Sequence, residues 1–237
     1  MEERKTPDAK ILFEDEGYER GFLAGELAEA GAVTLVGEGG ALTSVTTVRA
    51  AEGAVRDHLA RFADDPFSPE ATASLAAALT PLFERCGYAP DPDSPYVTVA
   101  FAAPAAIAEP RRQLPDGVRL IWCADGEGGR YDFSLIDGGA DDGECALAVR
   151  GDTVLCAAGI NDLRRDGYSE IYVECAERVR RLGLGSACVA MLAGRLAAAG
   201  QGVRYETTGD NAASLALAKS LGMREIERIV SFTAIGK

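Results

Sequence analysis

Residues 170–200 read Glu-Ile-Tyr-Val-Glu-Cys-Ala-Glu-Arg-Val-Arg-Arg-Leu-Gly-Leu-Gly-Ser-Ala-Cys-Val-Ala-Met-Leu-Ala-Gly-Arg-Leu-Ala-Ala-Ala-Gly. Glu170, Ile171, Tyr172 and Val173 alternate polar and apolar, as a half-buried strand does. Beyond the glycines the period changes: Val189, Leu192 and Leu196 recur at helical spacing, and Gly200 stops the run. The stretch therefore predicts a strand, a Gly-rich turn and a helix. Such a turn leaves the first amides of the helix without intrahelical partners, and the helix dipole adds partial positive charge there. Gly183 and Gly185 carry no side chain to block a ligand, and Arg178, Arg180 and Arg181 add full charges. The pattern describes an anion site, with phosphate the anion it suits best.

A second motif follows at residues 211–223, Asn-Ala-Ala-Ser-Leu-Ala-Leu-Ala-Lys-Ser-Leu-Gly-Met. Together with Arg180-x-x-Gly183-x-Gly185 it resembles the GNAT (Gcn5-related) acyl-CoA N-acyltransferase superfamily. The resemblance covers Cys145 to Phe232 and does not reach the first hundred or so residues. It implies a mixed α+β fold, a mostly antiparallel sheet whose central strands splay apart around acyl-CoA. A smaller α/β region would precede it. The division it suggests is a region 1–112, acting as a substrate-side or lid domain, and a catalytic domain 113–237.

The same resemblance assigns roles. The cofactor pyrophosphate would sit over the amides of Arg181, Leu182, Gly183, Leu184, Gly185 and Ser186, with Arg180 in the first motif position. Edge N–H and C=O groups of Val173 and Cys175 would pair with the pantetheine arm as an added strand would, and one such amide would hold the thioester oxygen as charge develops. Asn211 and Ser214 match the second motif, whose side chains face the cofactor; Asn211 also suits a helix N-cap. Cys175 is open to two readings, covalent participant or strand filler. Many members of the superfamily carry a Tyr that protonates the leaving thiolate where this chain has Ala218. Glu174, then Glu170, are the candidates to accept the amine proton; each also suits a solvated edge carboxylate. A bulge would shift the phase of this strand. Met223 replaces the Phe common at that place and keeps an apolar plug. The implied reaction is acetyl transfer from acetyl-CoA to a primary amine of a small molecule or peptide, without a metal. A catalytically weak acyl-CoA sensor is the alternative that Ala218 keeps open. A non-CoA nucleotide site is less well supported, since the repeated strand–helix pattern of such folds is missing.

Composition bounds the rest. The chain has 237 residues and a net charge of −13, which argues against nucleic acid and against anionic membranes and permits a cationic substrate. Six scattered cysteines without a Cys-x-x-Cys pair and a single His argue against a zinc site; the cysteines are expected to be buried free thiols of a reducing compartment. No run is apolar enough to span a bilayer and the N-terminus does not resemble a signal peptide, so a cytoplasmic monomer or homodimer is expected. His58 could serve as a base on a helix surface, though a lone His with no visible partner is more often inert.

Upstream, a helix is expected over Phe13–Ala30 ending at Gly31, strands at Val33–Val36 and Leu42–Val48 around Gly39-Gly40, and helices at Val55–Phe62 and after the Ser68-Pro69 cap. Tyr96–Phe101 is an expected strand and 102–116 a linker. Strands are expected at Val118–Cys123, Tyr131–Ile136, Cys145–Val149 and Val154–Ile160, with a hairpin at Gly151-Asp152. Asp137–Gly143 is an expected solvated loop rather than a calcium site. A strand at Val203–Thr207, a helix at Ala212–Leu221 capped by Gly222 and a strand at Glu225–Ala234 complete the expectation.

Overall fold

A computed structural model describes residues 9–103, 107, 113–136, 143–165 and 167–236. The polar N-terminal residues 1–8, most of the expected linker and residues 137–142 of the expected loop lie outside the described residues. In chain order the elements are β1 (Lys10–Phe13), α1 (Glu16–Ala24), β2 (Glu29–Glu38), β3 (Ala41–Thr47), α2 (Glu52–Arg61), α3 (Pro69–Arg85), β4 (Tyr88–Pro90), β5 (Tyr96–Ala103), β6 (Val118–Cys123), β7 (Cys145–Arg150), β8 (Thr153–Arg165), β9 (Tyr168–Cys175), α4 (Leu184–Ala198), β10 (Gly202–Thr208), α5 (Ala212–Ser220) and β11 (Arg224–Gly236). The fold is mixed α+β. Its strand pairings are mostly antiparallel, with parallel exceptions at β1–β3 and β9–β10.

The chain forms two compact units that are not consecutive stretches of sequence. One comprises Met1–Val99, Thr208–Asp210 and Glu225–Lys237; the other comprises Ala100–Thr207 and Asn211–Arg224. In the first, β2 pairs with β3 and with β11, β1 joins β3, and β4 joins β11. Phe22, Leu35, Val45, Val55, Leu75, Phe83, Tyr88 and Phe232 are buried together. The Phe22 ring stands 6.0 Å from Phe83 and 5.5 Å from Tyr88. Burying Tyr88 requires partners for its hydroxyl: it donates to the Gly21 carbonyl at 3.2 Å and accepts from the Leu27 amide at 3.3 Å.

In the second unit the strand order is β10-β9-β8-β7-β6. Cys145 to Val149 of β7 are all 0 % exposed, so this strand is covered on both faces and needs no polar alternation. Helix α4 packs on β7, β8 and β9, with Leu184, Cys188, Leu192 and Leu196 buried.

Several expectations are corrected. Helix α1 spans Glu16–Ala24 rather than Phe13–Ala30, because Gly25 adopts φ 72° and caps it. The chain from Glu29 pairs with β11 instead, so Gly31 lies inside a strand. Residues 131–136 are not a strand. The Asp132 carboxylate accepts the Ser134 amide at 3.0 Å, and this local Asx turn displaces the extended ladder, leaving one bridge to Thr153. The linker begins later, since β5 continues to Ala103. The Ser68 cap, the Gly151-Asp152 hairpin and the Gly222 turn (φ 70°) form as expected. Among the described residues no helix is long and apolar enough to cross a membrane. None of their His, Cys, Asp and Glu side chains group in threes able to hold a metal.

His58 is not on a helix surface: it is 4 % exposed, and its Nε2 lies 3.2 Å from the Pro66 carbonyl. That carbonyl can only accept, so Nε2 carries the proton and Nδ1 is left without a partner. Burial lowers the His58 pKa below its ordinary value, the Pro66 bond offsetting part of the fall. With the folded pKa below the unfolded one, the unfolded state binds the proton first. The contribution of His58 to stability is complete above the unfolded pKa and is lost as pH falls through it toward the folded pKa. His58→Gln keeps a donor for Pro66 and does not titrate. Urea unfolding of wild type should therefore lose more stability between pH 7 and pH 5 than unfolding of His58→Gln; parallel pH profiles would contradict this.

Candidate active site

The site lies in the second unit, where β9 parts from β10. The two strands pair in parallel from Tyr168/Gly202 to Ile171/Tyr205. Beyond that rung β9 runs on to Cys175 and β10 to Thr208 with no further register between them. On its other edge β9 stays paired with β8 as far as Cys175/Cys156. The Cα atoms of Cys156 and Cys175 are 4.0 Å apart, the close spacing of a rung whose backbone groups do not bond each other. The next amide, of Ala176, does bond β8, at the Leu155 carbonyl, 2.9 Å away. The N–H and C=O groups of Cys175, and of Val173 two residues earlier, therefore face the edge that β10 has left. The Cys175 carbonyl accepts from Arg180 Nε at 3.5 Å on that side.

After β9 the chain makes a 3-10 turn at Glu177–Val179 and enters α4 through Arg181, Leu182 and Gly183. Arg181 takes φ 67° and Gly183 φ 84°. Left-handed backbone is costly for residues with a Cβ and free for glycine, which explains Gly183. Gly183 is the N-cap, and no side chain caps α4. The first-turn amides of Leu184, Gly185 and Ser186 thus carry the N-terminal partial charge, roughly half an elementary charge, without a side-chain acceptor. Arg178, Arg180 and Arg181 are exposed around them. A Cβ at Gly185 would lie 3.5 Å from Cys175 Sγ and Val173 Cγ1 and 3.8 Å from Leu217, ordinary van der Waals contacts.

The second motif forms the start of α5. Asn211 is its N-cap and accepts the Ser214 amide at 3.1 Å. The Ser214 hydroxyl bonds the Tyr205 phenol, whose pKa burial raises and this bond lowers in part. Tyr205, which the sequence reading passed over, is 5 % exposed and occupies the last rung before the strands part. Its signal was the aromatic residue in a strand facing a motif serine. Ala218 is fully buried, so no hydroxyl stands at that place.

Glu170, Tyr172 and Glu174 share one face of β9, as their spacing requires, and all three are half-buried. The irregularity expected in this strand falls in β8 instead: Ile160 pairs with Ile171 and Arg164 with Ser169, so three β8 residues oppose Glu170 alone. One of them, Asn161, donates from Nδ2 to Glu170 Oε1 at 3.2 Å. Tyr172 lies across Gly159, whose lack of a side chain makes room for the ring. Burial, with the neighbouring Cys145 and Glu174, pushes the Tyr172 pKa up to about 12, so the phenol stays protonated at neutral pH.

Cys156 and Cys175 form a disulfide, which corrects the expectation that every cysteine is a free thiol. The reason is register: the two residues oppose each other directly across β8 and β9. A bonded sulfur is not a nucleophile, so this state of Cys175 has no covalent part in acyl transfer. The remaining cysteines, 86, 123, 145 and 188, are free.

The two motif glycines should respond differently to alanine. Gly183→Ala forces a Cβ into left-handed backbone and should cost about 1 kcal/mol. Gly185→Ala meets only ordinary contacts and should change stability by less than about 0.5 kcal/mol. Chemical denaturation checks both; an equal loss at the two positions would contradict the assignment.

Residues 147–231 match the family model described as FR47-like protein. No curated protein matches the chain. Among solved structures, a GCN5-related N-acetyltransferase from Sphaerobacter thermophilus is 16% identical, with 89% of this chain and 78% of that chain covered and a TM-score of 0.49. One from Kribbella flavida is 18% identical, with 66% and 62% covered and a TM-score of 0.42. An acetyltransferase from GNAT family from Colwellia psychrerythraea is 13% identical, with 60% and 56% covered and a TM-score of 0.45. This chain therefore spans less than two thirds of the length of the last two. Likenesses this distant add no argument to the motif match, which stands on its own residues. The family-model match at residues 147–231 takes in both motifs on which the resemblance to the GNAT superfamily rests.

Proposed function

We propose that the protein is an acyl-CoA-dependent N-acyltransferase, transferring acetyl from acetyl-CoA to a primary amine by direct attack. The observation that carries this is the open β9 edge lying beside an uncapped helix N-terminus. Such an edge accepts an amide-bearing chain as a further strand, and the uncapped turn accepts a diphosphate. CoA joins those two chemistries in one molecule. The residues present fit it: Arg180 and the 181–186 amides for the pyrophosphate, Val173 and Cys175 for the pantetheine arm, Asn211 and Ser214 at the α5 side. Bound there, acetyl-CoA supplies an activated thioester carbonyl.

The chain's own part is to place and polarise. A β9 amide at the open edge donates to the carbonyl oxygen as it gains charge. The acceptor amine approaches along the Glu170–Tyr172–Glu174 face and loses a proton to Glu174, with Glu170 held by Asn161 as the second carboxylate. The second reading, an acyl-CoA sensor with little turnover, rests on the buried methyl of Ala218 where a proton donor to the thiolate would serve.

A thiol-release assay with acetyl-CoA and a panel of primary amines separates the two. The enzyme reading expects at least one amine to accelerate release, Glu174→Gln to lower kcat by about 100-fold, and Arg180→Ala to raise the KM for acetyl-CoA. Tight acetyl-CoA binding with no amine response would favour the sensor.

A further inference from the structure

Within the first unit a cavity of about 210 Å³ lies between α2 and α3. Asp57, His58, Arg61 and Phe62 wall it from the end of α2, and Ser74 and Leu75 from α3. Asp57, His58 and Arg61 fall about one turn apart and so share a side of α2. His58 is 4 % exposed, and its Nε2 is spent on the Pro66 carbonyl at 3.2 Å. Nδ1, the second ring nitrogen, is buried without a partner. Native structures rarely keep a buried polar atom in that state. Burial lowers the pKa of the ring, so at neutral pH Nδ1 is a lone-pair acceptor in need of a donor. Two charges complete the wall. Asp57 and Arg61 stand at the i, i+4 spacing that favours an ion pair, yet neither is ion-paired with another described residue. The Arg61 guanidinium lies over the Phe62 ring instead, 5.1 Å from its centroid. A carboxylate, a guanidinium and an imidazole acceptor thus stand beside the apolar surface of Phe62 and Leu75.

We propose that this cavity is a binding site for a free α-amino acid with an apolar side chain. The ammonium donates to Asp57 and to His58 Nδ1, the carboxylate accepts from the Arg61 guanidinium as a two-pronged pair, and the side chain lies on Phe62 and Leu75. Simpler occupants match the wall less well. An anion alone supplies no donor for Asp57 or for Nδ1, and an alkylamine alone supplies no acceptor for Arg61. A purely apolar molecule would cover three polar groups that it cannot satisfy. Volume sets the upper limit, since the cavity is smaller than the roughly 300–1,000 Å³ that drug-sized ligands occupy. The inference is independent of the acyl-CoA reading, because every residue it uses belongs to the first unit.

The test is calorimetric titration of the full chain with L-leucine, isocaproate and isopentylamine. The last two keep the side chain and lack the ammonium and the carboxylate respectively. L-Leucine should bind saturably, and each analogue at least about tenfold more weakly, the loss that follows from one missing charge-assisted hydrogen bond. Arg61 is exposed, so Arg61→Ala should fold; it should weaken L-leucine by a similar factor and leave isopentylamine unchanged. His58 is the single histidine of the chain, so nitrogen NMR of isotopically labelled histidine reads the cavity directly. Saturating L-leucine should shift the Nδ1 resonance and leave Nε2 in place. No saturable binding, analogues equal to L-leucine, or an unmoved Nδ1 signal would overturn the proposal. L-Leucine is itself a primary amine, so binding indifferent to Arg61→Ala would place it elsewhere on the chain and overturn the proposal as well.

Discussion

The candidate site depends on one unmade set of hydrogen bonds. Strand β9 is paired on one side along its length and on the other only as far as Ile171. A strand inside a sheet normally spends every backbone donor and acceptor on its neighbours. Here the groups of Val173 and Cys175 face an opening, where the Cys175 carbonyl takes Arg180 Nε at 3.5 Å in place of a strand partner, and the chain then turns into a helix whose first amides have no side-chain cap. Two kinds of unsatisfied backbone, an extended edge and a helix N-terminus, are thus brought into continuity by a loop that only unusual dihedrals at Arg181 and Gly183 can close.

Electrostatics agree locally and disagree globally, and the difference is informative. The chain as a whole carries −13, yet Arg178, Arg180 and Arg181 fall within four residues at the mouth of α4. A global acidic balance repels anions weakly over a screened distance; three exposed arginines close in sequence to the uncapped turn set the local sign. On β9 itself the opposite sign appears: Glu170 and Glu174 line one face. One strand therefore separates a cationic loop end from an anionic face, the arrangement that an anionic cofactor and a cationic acceptor would each require.

Much of this was legible in the chain. The alternation at 170–173, the change to helical spacing by Val189 and the glycine pair located strand, loop and helix, and Asn211 announced a cap that formed. What misled the reading was local competition that periodicity does not record. Gly25 ended α1 early because a glycine can take left-handed backbone. Asp132 bent its segment through a side-chain bond where the residue types suited a strand. The Cys156–Cys175 pair was invisible because register, which decides which cysteines meet, is a property of two strands and not of either sequence. Tyr205 was missed for a related reason: its hydroxyl gains meaning only from Ser214, nine residues further on.

The most direct test of the central claim is site-resolved amide hydrogen exchange with and without acetyl-CoA. The account predicts that the cofactor slows exchange at Val173 and Cys175 on the open edge and at Leu184, Gly185 and Ser186 in the first turn of α4, leaving buried β7 unchanged. Unaltered exchange at these amides, with protection gained elsewhere in the chain, would contradict it.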